Sequence, residues 1–507
     1  MKITVLNGSP KGELSVTMQY VAFLSKLYPQ HEFDIVHIAQ RIKRIESDHA
    51  TFDEILSKVR NSDGVIWGFP LYILLVHAHY KRFIELVFEH GAQQSFAGKY
   101  AAALSTSIHF YDHTAHNYIH AICDDLGMRF VESFSADMTD LLKEEGRTQL
   151  AQFGQRFFEA IENKVVTQRE YAPLVWRDFT YQPGPASVAI PTGAKRVVIL
   201  HDENDPDSNL ARMVARLRAG MRGDVTLINL NQIDIKASCQ GCIQCGSAYH
   251  CAYEGKDEFI EFYKSTVMTA DVLVYAGRMH DRYLSSRWKT VFDRAFFNTH
   301  TPVLAGKQMA LIISGPLSQN ANLRQILQGY MDFQGANLVG MLSDESGTSA
   351  EIDGLLDQLS AHLLGYADVH ASRPVTFLAV AGIKLFRDDM YGRLRPVFMA
   401  DHLAYKRLGW YKTFPQANIG TMLLNTFVAP IVNLPPIRRK FDKMIKPQMV
   451  QPLKQVVAKA TPLVNKPPAG SSSSEGAAGS SPAPAVGSSP APSAGNMLPE
   501  DAVALRS

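Results

Sequence analysis

Leu6-Asn7-Gly8-Ser9-Pro10-Lys11-Gly12-Glu13-Leu14-Ser15-Val16-Thr17 follows a short β-branched run, Ile3-Thr4-Val5-Leu6, and opens an amphipathic stretch from Thr17 to Leu27. A strand, a glycine-containing turn and a helix in that order begin an α/β unit. Hydroxyls of Ser9, Ser15 and Thr17, with backbone N–H groups at the helix start, are suited to surround a phosphate. Gly8 would let the backbone approach closely. The loop has neither a Gly-Lys-Ser/Thr ending nor a G-x-G-x-x-G pattern, which argues against ATP and against a dinucleotide. Taken alone, the loop fits an anion site and a hydroxyl-capped helix equally well.

Outward from it, Phe33-Asp34-Ile35-Val36 and Gly64-Val65-Ile66-Trp67 read as strands, and His79 to Glu89 as a helix. Tyr100 to Leu104 is a further strand and Thr114 to Leu126 a further helix. Such alternation implies a parallel sheet covered on both faces. Gly68-Phe69-Pro70-Leu71-Tyr72 and Ser105-Thr106-Ser107-Ile108-His109-Phe110-Tyr111-Asp112 then fall at the carboxyl ends of successive strands. Ligands of open α/β sheets bind where such loops converge. One loop for phosphate and two flanking a flat ring is what a mononucleotide flavin needs.

At this point the sequence resembles the NAD(P)H-dependent FMN reductases of the flavodoxin superfamily. The likeness rests on Asn7 to Lys11 with Ser15 and Thr17, Pro70-x-Tyr72, Lys81-x-Phe83-Ile84, Phe96 to Lys99 and Leu126-Gly127-Met128. It implies that Ser9, Lys11, Ser15 and Thr17 bind the FMN phosphate, and that Pro70, Leu71, Tyr72, Ser105, Thr106 and Ser107 hold the isoalloxazine. The cofactor would carry the chemistry, with NAD(P)H as donor, so no catalytic side chain is expected. His109 and Asp112 are read as solvated loop residues.

Residues 165–193, with four prolines, read as an ordered linker. The alternation restarts at Arg196 to Leu200, and the restart is a repeat. Ser62 to Trp67 resembles Ala270 to Tyr275, Lys81 pairs with Lys289, and Phe96 to Lys99 with Leu304 to Lys307, all at one interval. Leu6 pairs with Leu200 at a shorter interval, so an inserted loop lies between. The expected fold is α/β: two tandem flavodoxin-like, doubly wound parallel-sheet domains at 1–164 and 194–365. An irregular C-terminal extension (366–465) and a disordered tail (466–507), rich in Ser, Ala, Pro and Gly, complete the chain.

In the second copy the phosphate loop is replaced by His201 to Asn209, with carboxylates at 202, 203, 205 and 207. Clustered negative charge repels phosphate, so a second FMN is not expected. That copy instead carries Cys239-x-x-Cys242-x-x-Cys245-x5-Cys251, four of the five cysteines. Three thiolates at three-residue spacing plus a fourth are able to cage an inorganic cluster; zinc, redox-active thiols and a vestigial loop stay open. The pattern resembles the compact motif of iron–sulfur flavoproteins, which implies a [4Fe–4S] cluster facing FMN across a dimer contact. Packed as an internal pseudo-dimer, one half would bring the cysteines to the flavin of the other. Further homo-oligomerisation is left open.

A net charge of +2 offers no reason to expect nucleic acid as a partner. No secretory h-region or membrane span is visible, which predicts a cytoplasmic protein. Ile419 to Leu434, followed by Arg438, Arg439, Lys440, Lys443 and Lys446, could lie on an anionic membrane near a quinone pool. The prolines at 430, 435 and 436 favour instead a segment that wraps back and buries its apolar side. The leading functional expectation is an oxidoreductase passing electrons from NAD(P)H to a quinone, a flavin or another small acceptor. The alternative is an FMN/iron–sulfur electron carrier reduced by a protein partner; a decayed scaffold conflicts with the intact first loop.

Overall fold

Gly64 to Pro70 is apolar on both faces of a strand, a pattern stable only at the centre of a sheet covered on both sides. A computed structural model places it there. The structure describes residues 1–186, 189–412 and 419–458; the tail expected to be disordered lies outside the described residues.

The first half runs β1 (Lys2–Asn7), α1 (Val16–Leu27), β2 (Glu32–His37), α2 (Ile42–Ser47), α3 (His49–Arg60), β3 (Gly64–Pro70), α4 (Ala78–Glu89), β4 (Tyr100–Ser107), α5 (Asp112–Asp125), β5 (Arg129–Asp137) and α6 (Glu144–Glu162). Its five strands are parallel in the order β2-β1-β3-β4-β5, the flavodoxin-like order with a switch point between β1 and β3. After a linker that ends in the short β6 (Ile190–Pro191), the second half repeats the plan. It contains β7 (Val197–His201), α7 (Asn209–Ala219), β8 (Met221–Arg222), β9 (Val225–Asn229), α8 (Cys245–Ala248), α9 (Phe259–Phe262), β10 (Val272–Arg278), α10 (Ser286–Ala295), β11 (Gln308–Ser314), α11 (Ala321–Phe333), β12 (Asn337–Ser343) and α12 (Ser349–Asp368). Its main sheet, β9-β7-β10-β11-β12, has the same order. The fold is therefore two tandem flavodoxin-like domains.

The extension departs from expectation. It is helical rather than irregular: α13 (Phe377–Tyr391), α14 (Met399–Arg407), α15 (Ile419–Val432) and α16 (Pro435–Ala458). Thr376 caps α13 by accepting a hydrogen bond from the Ala379 N–H, a local signal that strand periodicity does not reveal. Residues 1–404 make one compact unit and those from Tyr405 a second.

Within the first unit, two core clusters each serve one outer sheet face, around Val5, Leu24 and Phe153 and around Ile199, Leu217 and Leu356. The third and largest is shared. It joins Trp67, Tyr80 and Phe83 to Trp288, Phe292 and Tyr330. At its centre α4 lies against α10, and each helix completes the other. Glu85 of α4 accepts from the Ser286 N–H at the start of α10 (2.6 Å), and Asp293 of α10 accepts from the Ala78 N–H at the start of α4 (2.8 Å). Orphan N–H groups at both helix starts are thus met from the other half. Lys81 pairs with Glu85 (2.7 Å) and with Asp281 of the second half (3.0 Å). Its repeat partner Lys289 pairs with Asp293 and donates to the Tyr72 carbonyl of the first half (2.9 Å). Both lysines are fully buried. Burial opposes the charge on Glu85, but Lys81 outweighs it and holds the carboxyl down to about 2. The halves form an internal pseudo-dimer.

Candidate functional site

The loop after β1 bears on both of its readings at Ser15. This residue is the N-cap of α1, yet its hydroxyl makes no capping hydrogen bond; it lines a cavity with Ser9 and Lys11. Ser9 is fixed from within, its N–H donating to the Asn7 side chain (2.9 Å) while its hydroxyl accepts from the Lys11 N–H (3.2 Å). The space beside Gly8 goes to the protein itself: a Cβ there would lie 2.6 Å from the ring of Tyr80. Tyr80 donates to the Leu6 carbonyl (2.8 Å), so Gly8 admits a helix side chain rather than a ligand.

The cavity holds about 460 Å³, within the range of cofactor sites. Pro70, Leu71 and Tyr72 line it after β3, and Thr106 and Ser107 at the end of β4. Two expected residues stand behind the wall. Thr17 is buried with its hydroxyl 2.7 Å from that of Thr106. Buried Ser105 bonds His116 (2.7 Å), whose imidazole burial holds neutral at about 4. His109 and Asp112 pair with each other (2.8 Å) away from the cavity lining.

The opposite wall belongs to the second half. Cys239, Cys242, Cys245 and Cys251 all line the same cavity, so the two motifs that the repeat divides between its copies face one space. The first half positions the cysteine loop directly. His77, at the N-cap of α4, donates from Nε2 to the Cys239 carbonyl (2.7 Å) while its Nδ1 accepts from the His79 N–H (3.2 Å). Burial holds its pKa far below the usual histidine value, consistent with that neutral tautomer. The Ser238 N–H reaches His79 (3.3 Å), and the Ser238 hydroxyl reaches Asp293 (3.1 Å). Gly241, with φ +64°, passes so close that a Cβ would sit 2.2 Å from the Tyr72 hydroxyl and 2.8 Å from Lys11 Cε. Only glycine fits this crossing.

The thiols are free, not paired as disulfides. Burial pushes Cys239 and Cys245 up to about 12, so both stand as protonated thiols. Among the described residues, no three His, Cys, Asp or Glu side chains are drawn together as a metal site. The cysteines share a wall without converging, and this arrangement does not fit an assembled cluster.

Sequence reasoning missed the roof of the cavity. Phe110 of the first half, Phe296 and Phe333 of the second, and Phe386 and Phe398 of the extension line it. Phe386 packs on Phe110 (5.0 Å between centroids), Phe333 (5.1 Å) and His300 (4.2 Å). Buried Asp401 accepts from His300 Nδ1 (2.8 Å), Thr299 (2.6 Å) and Thr301 (2.7 Å), and Arg393 pairs with Asp137 of the first half (2.7 Å). The part of the extension up to Ala404 is thereby fastened to both halves. Its aromatic and arginine residues were visible in the sequence, but nothing local marked which strands they cover.

The matching crevice of the second half is filled differently. Trp176, Arg177 and Phe179 of the linker lie there with Arg278, Ser314 and Asp344, leaving about 230 Å³. Arg177 donates to the Gly347 carbonyl (2.8 Å), and Asn209 donates to the Phe179 carbonyl (2.9 Å). At the position corresponding to Gly8 stands Asp202, hydrogen-bonded to Ser285 and raised by burial to about 6.

Two doubly wound sheets joined through one cavity define a tandem flavodoxin-like protein. Residues 1–159 match the family described as flavodoxin-like fold, and residues 195–341 match that described as NADPH-dependent FMN reductase. The two matches lie in succession, one on each half of the chain. No curated protein matches it. Similar solved structures include an apo NADH:FMN oxidoreductase (EMOB; 20% identity, 31% of this chain and 87% of that one, TM-score 0.27). The flavoenzyme NAD(P)H:(acceptor) oxidoreductase FerB of Paracoccus denitrificans shares 19% identity over 32% of this chain and 97% of its own, with TM-score 0.27. General stress protein 14 of Treponema denticola, in complex with FMN, shares 11% over 32% and 98%, with TM-score 0.24.

Proposed function

We propose that the chain is an oxidoreductase that holds one FMN in the shared cavity, takes electrons from NAD(P)H and passes them to a quinone, a flavin or another small acceptor. The observation that carries this reading is the Ser15 hydroxyl, which leaves its own helix uncapped and joins Ser9 and Lys11 on the cavity wall. Bound there, FMN supplies two-electron redox chemistry through its ring. Ser9, Lys11 and Ser15 bind the phosphate at the start of α1. Pro70, Leu71, Tyr72, Thr106 and Ser107 flank the ring, while Thr17 and Ser105 brace Thr106 and the strand from behind. The phenylalanine roof excludes water.

For the cysteines we propose a thiol wall as the resting arrangement. A [4Fe–4S] cluster on Cys239, Cys242, Cys245 and Cys251 would require the loop to contract and the thiols to shed protons. Their common cavity favours keeping that reading under test, and iron quantified in anaerobically purified protein decides it.

The test of function is the visible spectrum of the purified chain, followed by stopped-flow mixing with NADH and NADPH. A yellow protein that bleaches rapidly with either donor is expected. A flavin inert to both supports the carrier reduced by a protein partner. A colourless protein that takes up no FMN defeats both.

A further inference from the structure

For Ile419 to Leu434 the sequence favours a segment that wraps back over one that lies on a membrane. In α15, Leu424 is 63% exposed, Phe427 70% and Ile431 54%, and Leu423, Val428 and, just beyond the helix, Leu434 are exposed as well. These positions recur at steps of three and four, so they form one continuous face. Residues 419–434 carry no charge at all. Directly after them, α16 carries Arg438, Arg439, Lys440, Lys443, Lys446 and Lys454 against a single acid, Asp442.

An apolar face of this size in water demands an occupant. The density of positive charge beside it selects among the candidates: it would repel a second copy of the same segment, whereas it complements an anionic surface. At 14 residues, α15 is about 21 Å long, short of the ~30 Å hydrocarbon core. No described helix is long and apolar enough to cross a membrane. A helix of this kind lies in the interface plane, its apolar side among acyl chains and its basic neighbour among headgroups. We propose that α15 and α16 form a peripheral anchor for an anionic lipid bilayer, inserted through the face of Leu423, Leu424, Phe427, Val428 and Ile431.

The test uses the full-length chain sedimented with vesicles of phosphatidylcholine alone or mixed with phosphatidylglycerol. The expected result is binding to the mixed vesicles at least roughly tenfold stronger than to the neutral ones, weakened by salt. Leu424→Asp with Phe427→Asp should abolish binding. Arg439→Glu with Lys440→Glu and Lys443→Glu should weaken it roughly tenfold or more. Circular-dichroism melting of both variants should match the parent, as expected for changes to exposed side chains. The proposal is overturned if the parent chain stays in the supernatant with anionic vesicles, or binds neutral vesicles equally. It is also overturned if the double aspartate variant sediments like the parent, or if the parent is a dimer that this variant disperses.

Discussion

Ser15 and Asp202 show how single side chains divide two copies of one fold. Ser15 keeps its hydroxyl for the cavity at the cost of a helix cap. A hydrogen bond to a charged group contributes about 2 kcal/mol, so Ser15→Ala is expected to weaken FMN binding roughly thirtyfold, read by flavin fluorescence titration. Because no cap is lost, the melting temperature of the flavin-free protein should barely move. Asp202 is the opposite case, a carboxyl that burial raises to about 6. Its folded-state pKa exceeds its unfolded value of about 4, so the folded state binds the proton more tightly. Stability is therefore lost as pH rises from about 4 to 6. Asp202→Asn should match the parent near pH 4 and exceed it at pH 7 by up to about 3 kcal/mol, measured by urea unfolding at both values. The loop of Ser9, Lys11 and Ser15 stood out in the sequence because its residues are contiguous. The removal of Thr17 and Ser105 behind the wall was not legible there, because their partners, Thr106 and His116, are set by strand register and helix packing.

Among elements, the pair α4 and α10 has the most to lose. Lys81→Met would leave buried Asp281 without its counter-charge and Glu85 with Arg82 alone (3.1 Å). Removing one partner of a buried pair costs about 3–5 kcal/mol, and chemical denaturation of the variant should show a loss of that size. The match of Lys81 with Lys289 in the sequence marked the repeat but not this interface. What each lysine touches was hidden, because Asp281 and the Tyr72 carbonyl lie some two hundred positions away. The cysteine loop teaches the same lesson. Its spacing was plain, whereas its suspension from His77 and His79 follows only from the packing of α4. Neither histidine belongs to a recognisable motif.

For the whole molecule, the expected stoichiometry is one FMN per chain. The first crevice is roofed but hollow, and the second is packed with Trp176, Arg177 and Phe179 above an acidic loop. Flavin released by heat and counted against protein should approach one equivalent; two equivalents would contradict the account of the second half. Fold and duplication were readable from alternation and repeat because both are periodic. The destination of the linker and of α13 was not, because neither carries a period that names its partner.

The exchange of helix caps between Glu85 and Asp293 has a further meaning. In a symmetric assembly of identical subunits every substitution appears twice, so a change that improves one pocket is imposed on the other. Here the reciprocal contact is retained inside a single polypeptide, where each side varies alone. One copy carries an acidic loop where the other carries Ser9 and Lys11, and Cys239, Cys242, Cys245 and Cys251 stand in only one of them. The cross-braced helices keep these two unlike halves at a fixed mutual bearing.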